Sequence, residues 1–452
     1  MKKALKAIRA RALALSAWGV AVLLLPLALA SGAFASEVQV GGKLDHRLFY
    51  TADPSTVTQN ETRYELTVEA RPGPDGRVYL SWKGTVPFLE EKRFDGSETA
   101  GTSPAQLAPT LHEAYFDVYF PAADLRVGRQ IINWGTADGI NPTNVINPHT
   151  LSTDALVERE AAAIPVPAVR LSGGLGRSLG LTAVGILDFV PAPFPADPVR
   201  RLAESIAANV PPGGTVPGES WLDIEGVGPG NQYEFALRAE SMVAGYNVYA
   251  SYFNGYTDLP ALWMEPISGP PVAFKVSGRY RRQQQFGLAT AGTVGDGGVW
   301  LEAAYTLPEK LDRLDLPAPA SIALSSNEGT WQAVAGSDYT FASDVYVSGQ
   351  LVYDQAGSLL LPYAPPGQKE AGLYGVGVLQ YTPERSSTTW DVVSVVNLRD
   401  GGAVVAPGLT HELEPGVKLA VRYVDVVGGA DTEFGGMRPQ IRGVAARVEA
   451  AF

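Results

Sequence analysis

Apolar and polar side chains alternate along most of the chain after residue 35, in segments of about ten residues. In the first such segment the apolar set is Val38, Val40, Leu44, Leu48 and Tyr50. The positions between them include Gln39, Lys43, Asp45 and Arg47. The same alternation recurs at 63–69, 113–120, 234–240 and 417–423. A period of two predicts β-strands, each with one apolar and one charged face.

Short and long connections alternate between these predicted strands. Turn-forming residues cluster at 72–76, 121–124, 173–178, 242–245, 295–298, 341–344, 383–386 and 412–416. Longer segments lie near 51–60, 85–110, 132–163, 189–230, 254–275, 308–328, 356–369 and 427–439. Transmembrane β-barrels have short turns at one end and long loops at the other, and the hairpins here predict about 18 strands, or about 16 if two weak strands near 390–410 are misassigned.

The first 35 residues have the pattern of a signal peptide. Five basic residues precede an apolar stretch from about Ala12 to Ala30, and Ala33-Phe34-Ala35 offers a small-residue cleavage site. An uncleaved membrane anchor is the alternative, which Pro26 within the stretch disfavours. We therefore predict a signal peptide at 1–35, a mature domain at 36–452 and export to the outer membrane.

No later apolar run of about 18 residues exists, so a mature chain in a membrane has to be a closed barrel. The last segment places Val444, Ala446, Val448, Ala450 and the terminal Phe452 on one face. This ending resembles the C-terminal strand of bacterial outer-membrane β-barrel proteins, and the resemblance implies recognition by the barrel-assembly machinery through Phe452. The predicted fold is all-β, a transmembrane antiparallel up-and-down barrel. A soluble β-sandwich or propeller also has short alternating strands, but neither a linker nor a fixed repeat supports it.

Composition narrows the function. Cysteine is absent, which excludes disulfides and thiolate chemistry, and loss of the five leader bases changes the net charge from −12 to −17. Such acidity argues against nucleic-acid binding. Mean hydropathy near zero fits strands that are half lipid-facing and half water-facing.

No catalytic or metal constellation stands out. Gly176-Arg177-Ser178-Leu179-Gly180 matches the G-x-S-x-G pattern, but a Gly-rich turn followed by a strand is not the strand-to-helix turn that a nucleophile elbow needs. The four histidines share no spacing, and no phosphate-binding loop is present. We expect neither an enzyme nor a cofactor or metal.

The richest local signal is the strand Leu125-Arg126-Val127-Gly128-Arg129-Gln130, followed by Asn133-Trp134-Gly135 and two Asn-Pro pairs. This segment resembles the Gly-Arg-Gln strand and Trp-Gly/Asn-Pro loop of large outer-membrane porin-like families. In such porins a loop after an early strand folds into the lumen, so the resemblance implies a constriction at 133–160. The candidate constriction residues are Asn133, Trp134, Asp138, Asn141 and Asn147. A surface loop held by Asn-Pro turns is the alternative. Strict alternation directs Arg129 to lipid unless a bulge shifts the register.

Charged and polar residues on the water-facing side of the strands are the predicted pore lining. They are Lys43, Arg47, Arg63, Glu65, Glu113, Asp117, Arg126, Gln130, Glu234, Arg238, Arg279, Glu302, Lys418, Arg422 and Arg447. Charges on the inner face of a barrel need either water or a partner of opposite charge. The interior of a barrel of about 18 strands is wider than side chains alone can fill, which favours water. We expect a porin for passive diffusion of small hydrophilic solutes or ions, with weak, modestly cationic selectivity. A closed structural or adhesive barrel and a substrate-specific channel remain alternatives, and the resemblance also implies a homotrimer.

One helix is expected among the loops. Asp197-Pro198 is suited to a helix start, and Val199, Leu202 and Ile206 follow at helical spacing. The helix would either cover the mouth of the barrel or pack on an external loop.

Overall fold

Eighteen antiparallel strands close into one barrel in the computed structural model. The structure describes residues 37–452 except 53–54, 89–108, 151–161, 177, 211–212, 219, 229, 269–271, 319, 343, 360–362 and 365–369. The predicted signal peptide lies outside the described residues. The first half of the barrel consists of β1 (Glu37–Ala52), β2 (Ser55–Gly73), β3 (Gly76–Pro87), β4 (Thr110–Tyr119), β5 (Ala123–Gln130), β6 (Val166–Leu175), β7 (Leu179–Ile186), β9 (Glu234–Val243) and β10 (Tyr246–Tyr256). The second half consists of β13 (Arg282–Val294), β14 (Gly297–Pro308), β16 (Thr330–Thr340), β17 (Val345–Asp354), β18 (Gly372–Tyr381), β19 (Thr388–Asn397), β20 (Ala403–Glu414), β21 (Val417–Val427) and β22 (Gly443–Ala451).

The barrel closes where β1 pairs with both β2 and β22. Pairing continues one residue beyond β22, because Gly42 and Phe452 exchange two backbone hydrogen bonds of 2.9 and 3.0 Å. The predicted count of 18 strands is confirmed, and the two weak strands near 390–410 are β19 and β20. The expected long segment at 51–60 is wrong, because β1 extends to Ala52 and β2 begins at Ser55.

The connections lie at two distinct ends of the barrel. All eight predicted short turns join consecutive strands at one end, which we call the turn end, and 173–178 is the hairpin turn expected in place of a nucleophile elbow. The opposite end, the loop end, carries the long connections 88–109, 131–165, 187–233, 257–281, 309–329, 355–371 and 428–442.

A second, four-stranded sheet lies at the loop end. Its strands are β8 (Leu222–Glu225), β11 (Ala261–Ser268), β12 (Ala273–Arg279) and β15 (Ile322–Ala323). Helices α1 (Ala196–Ala208) and α2 (Asp312–Asp315) accompany it. Helix α1 is the predicted helix, with Asp197 in the first turn instead of at the cap. It buries Val199, Ala203 and Ala207 against the sheet residues Phe274 and Val276, so it belongs to a small loop domain.

The outer wall of the barrel is a band of exposed apolar side chains. Examples from nine of the strands are Leu44, Phe116, Leu171, Leu237, Leu288, Leu301, Leu351, Trp390 and Val448. Their strand neighbours point inward and include the buried Asp45, Asp117 and Glu302. This inversion of the usual burial pattern places an apolar solvent outside the barrel and polar groups inside it. Among the residues that the structure describes, no helix has the length and apolarity that a membrane-spanning helix needs.

Candidate functional site: the lumen and its inserted loops

Fourteen of the fifteen predicted lining residues lie on inward-facing positions of barrel strands. They are Lys43, Arg47, Arg63, Glu65, Glu113, Asp117, Arg126, Gln130, Glu234, Arg238, Glu302, Lys418, Arg422 and Arg447. The assignment of Arg279 to the barrel wall is wrong. Arg279 ends β12 of the loop-end sheet, exposed, with Glu225 at 3.8 Å. Its segment alternates because one face of that sheet packs on helix α1, which sequence periodicity alone does not distinguish from a barrel strand.

Most inward charges are paired with charges on the same or the adjacent strand. Asp45 holds Arg47 at 2.7 Å and Arg447 at 2.8 Å, the second bond crossing the seam between β1 and β22. Arg422 of β21 contacts Asp391 of β19 at 2.6 Å over Gly408 of β20, which lies between the two strands. Pairing lowers the energetic cost of placing these charges on the inner wall of the barrel. It is compatible with a water-filled interior.

The wall of β1 to β3 retains contact with water. The side chains of Lys43, Arg63 and Lys83 are 37, 39 and 38 % exposed. Lys43 pairs with Glu449 at 2.9 Å, and Lys83 lies 3.8 Å from Glu65. Half-exposed charges inside a closed barrel indicate hydrated space along this wall, which we call the hydrated wall.

Strand β5 is shaped for close contact with β4. Gly128 has φ +138°, and a Cβ there would collide with the backbone of Ala114 and Tyr115. Arg126 donates to Asp117 at 2.6 and 3.0 Å, and its guanidinium lies 3.9 Å from the ring centre of Tyr115. Arg129 lies beside Ala114 on the outward side and donates to the His112 carbonyl. The Gly-Arg-Gln sequence thus supplies close strand packing and an inward guanidinium.

Residues 131–150 and 162–165, the described parts of the connection after β5, fold into the lumen, and their base is held by amide side chains. Asn147 accepts from the Ile132 N–H at 2.7 Å and donates to the carbonyls of Gln130 and Ile164. Asn144 accepts from the Trp134 N–H at 3.1 Å. Ile132, Trp134 and Ile146 pack on inward residues of β6, β7, β9 and β10. The base of the loop therefore covers this part of the inner wall.

The tip of the same loop crosses to the opposite wall, where Glu302 of β14 receives it. The Glu302 carboxylate accepts from the backbone N–H groups of Thr136, Ala137 and Thr143 and from both threonine hydroxyls. The Ala137 bond is 2.6 Å long, and the Glu302 side chain is nearly inaccessible. Gln350 of β17 also donates to the Asp138 carbonyl at 2.7 Å. We call this arrangement the Glu302 latch.

The predicted constriction residues occupy different roles within this loop. Trp134 and Asn147 are buried and structural, whereas Asn133 and Asp138 are exposed. Asn141 is half-buried beside Gly135, and its side-chain oxygen is buried without a hydrogen-bond partner. Residues 151–160 of the predicted segment lie outside the described residues. The part of the loop that is described runs from the end of β5 to Glu302 of β14 on the inner wall.

A second inserted segment was not foreseen from the sequence. The connection 428–442, with the short helix α3 (Arg438–Ile441), buries Phe434 and Ile441 against Val352, Tyr374 and Val395 of the inner wall. Glu433 accepts from the Tyr374 hydroxyl at 2.7 Å and from Asn397 at 2.8 Å. The strands carry a signal for this segment: β18 to β20 have apolar residues on both faces, and their inward valines indicate an inner wall that another segment covers.

Several solved structures are similar to this chain. Acinetobacter baumannii OccAB3 has a similar structure, with TM-score 0.50 and 10% sequence identity over 92% of this chain and 99% of that one. Salmonella typhi OmpF in complex with daunomycin gives TM-score 0.42 at 10% identity, over 92 and 97% of the two chains. A loop L8 deletion mutant of OmpT, an outer membrane protein of Vibrio cholerae, gives 0.41 at 10% identity, over 92 and 99%. The likeness to OccAB3 supports the barrel fold.

Sequence comparison places the chain in a family. A search of curated proteins found no match. A family model described as "Protein of unknown function (DUF1302)" matches residues 43–363, which run from β1 to the loop after β17. Because this match spans well over half of the chain, the protein belongs to the DUF1302 family of proteins of unknown function.

Proposed function

We propose that the protein is an outer-membrane porin, a channel for passive diffusion of small hydrophilic solutes and ions. The carrying observation is the hydrated wall: Lys43, Arg63 and Lys83 keep more than a third of their side-chain surface accessible inside a closed barrel. Fixed charges beside water admit polar solutes and slow apolar ones. Catalysis forms no part of the proposal.

The inserted loops set the width of the proposed channel. The described part of the loop 131–165 and the segment 428–442 both pack on inward residues of the barrel, and their contacts cover the wall from β6 to β10 and from β14 to β21. The path for solutes then runs off-centre, between the inserted loops and the hydrated wall. This arrangement suits solutes that are small compared with the barrel itself.

A closed structural barrel is the second candidate, and a specific observation favours it. The two inserted segments share one apolar cluster, in which Ala137 of the first segment and Phe434 of the second are buried. A cluster that extended to the hydrated wall would seal the lumen. A substrate-specific channel differs from a general porin by conductance that saturates with one solute.

The proposal also includes the surroundings of the barrel. Outer-membrane lipids would contact the apolar outer wall, and the barrel-assembly machinery would bind the last strand and Phe452. A homotrimer and export by the 1–35 leader remain parts of the proposal that crosslinking and N-terminal sequencing of the mature protein would test.

Liposome swelling separates the candidates. Purified, folded protein in liposomes should permit swelling with small sugars, at a rate that falls steeply with sugar size. A folded barrel that gives no swelling with any solute would favour the closed barrel. Swelling with one sugar class alone, at sizes where others fail, would favour the specific channel.

A further inference from the structure

Four charged residues form one cross-strand row on the inner wall, near the turn end of the barrel. Arg77 of β3 lies opposite Asp117 of β4, Asp117 opposite Arg126 of β5, and Arg126 opposite Arg170 of β6. The row thus contains three guanidiniums and one carboxylate. Directly opposed residues of neighbouring strands have Cβ atoms about 5 Å apart, so each charged group of the row can reach the next one.

The single carboxylate of the row is already occupied. Asp117 makes both oxygens available to Arg126, at 2.6 and 3.0 Å, and lies 3.8 Å from Arg77. Arg77 has a second partner in Glu69 at 2.7 Å. The two guanidiniums nearest to Asp117 are therefore neutralised, and the carboxylate has no further capacity for Arg170.

Arg170 is different from the other two arginines. Within the part of the chain that the structure describes, no carboxylate lies within 4.0 Å of its guanidinium, and its buried Nε has no hydrogen-bond partner. Its direct neighbours in the sheet are Arg126 on one side and Val184 on the other. An unpaired half-buried guanidinium opposite another arginine is costly unless an anion or water completes it.

Arg170 lies beside the base of the inserted loop, in the same region of the inner wall as Arg238. The next inward residue toward the loop end is Ala168, fully buried under the base of the inserted loop. Arg238 of β9 lies nearby beneath Trp134, 5.5 Å from that ring, and its own buried Nε also lacks a partner. The nearby acids have other partners or lie elsewhere. Glu240 forms an ion pair with Arg238 at 2.8 Å, and Glu113 accepts from the Ile131 N–H at 2.8 Å. Asp124 is exposed toward the turn end.

From this arrangement we infer a binding site for a small oxyanion, such as phosphate, sulfate or a carboxylate, centred on Arg170 at the edge of the inserted loop. A planar guanidinium offers paired N–H donors that match two oxygens of such an anion. The inference rests on the proposed function, because it gives the channel a local preference for anions although the chain as a whole is acidic. This local preference for anions differs from the modest cation selectivity that the negative net charge of the chain predicts.

The test is a bilayer recording in potassium chloride with inorganic phosphate titrated in. The variants are Arg170→Gln, Arg170→Lys, and Arg71→Gln as a control that removes an inner-wall arginine paired with Glu69 at 3.0 Å. Phosphate should reduce the chloride current of the wild type. Arg170→Gln should weaken the apparent phosphate affinity about fivefold, the effect of one unit charge about 4 Å away in water. Arg170→Lys should keep part of the affinity, and Arg71→Gln should leave it unchanged.

Two failures have different meanings. If the wild type conducts and phosphate affects its current no differently from the current of Arg170→Gln, the oxyanion site is overturned and the porin proposal stands. A folded wild type without conductance overturns the porin. In that case equilibrium binding of phosphate to the detergent-solubilised barrel still decides the site: binding that Arg170→Gln abolishes supports it, and no binding by the wild type overturns it.

Discussion

Loss of the Glu302 latch should widen and destabilise the constriction. The Glu302→Gln substitution keeps the size of the side chain but replaces one acceptor oxygen by an amino group. If the remaining oxygen keeps the hydrogen bonds from Thr136 and Ala137, the side-chain NH2 group of Gln lies against the N–H of Thr143, and two donors then meet. The loop then loses one backbone acceptor, and its other hydrogen bonds lose the charge of the carboxylate.

The magnitude follows from the number and kind of bonds. Hydrogen bonds to a charged group contribute about 1.5–3 kcal/mol each, so the substitution should cost about 2–3 kcal/mol of loop attachment. A cost of that size raises the population of the displaced loop about 30-fold to 150-fold. The Gln350 bond to the Asp138 carbonyl and the apolar contacts of Ala137 remain, so the barrel itself should stay folded.

Single-channel recording measures this change. The variant should show larger mean conductance and more frequent current fluctuations than the wild type. Asp391→Asn is the matched control, because Asp391 is also an inward carboxylate but binds Arg422 and not the loop. Equal behaviour of Glu302→Gln and wild type, or equal changes in both variants, would refute the role of the latch.

Three further predictions concern the barrel seam, its last residue and the loop domain. Asp45→Asn leaves Arg47 and Arg447 without their shared carboxylate, so the barrel should unfold in detergent at lower temperature than the wild type, as read by heat-dependent gel mobility. Glu61→Gln, which removes the ion pair of Glu61 with Arg63 of the same strand, should have a smaller effect because Asp45 still bridges β1 and β22. Gly42→Val should impair barrel closure, because the ring of Phe452 occupies the space of a side chain at 42. Gly185→Val, at an outward glycine with open space around it, should assemble normally, and equal yields of the two folded variants would count against closure through Phe452. Ala203→Glu places a charge in the buried face of helix α1 and should expose the loop domain to protease while the barrel stays resistant. The exposed Ala208→Glu is its control, and a protease pattern shared by both variants would contradict the packing of α1.

The barrel was predictable because its strands obey one strict rule. Leu44 faces outward and Asp45 inward, and this period of two holds where the inner side of a strand meets water. It weakens in strands such as β19 and β20, whose inner side is covered by an inserted segment. The loop-end sheet obeys the same rule for another reason, the packing of Phe274 and Val276 on helix α1, and this explains the error at Arg279.

The contacts of the loops were not predictable from the sequence. Glu302 was predicted as one more lining charge, yet it is buried by residues more than 150 positions away, and nothing in the local pattern around it shows this. Arg170 was overlooked because its segment carries few other charges. Its unpaired state depends on which strand neighbours it, a property of register that only the folded sheet reveals.

Conductance of the purified barrel tests the central claim most directly. Folded protein of the mature sequence, reconstituted in a planar bilayer, should give stable conductance steps in potassium chloride, and the Glu302→Gln variant should give larger ones. A barrel that is folded by heat-dependent gel mobility and inserted in the bilayer, yet never conducts, would contradict the porin.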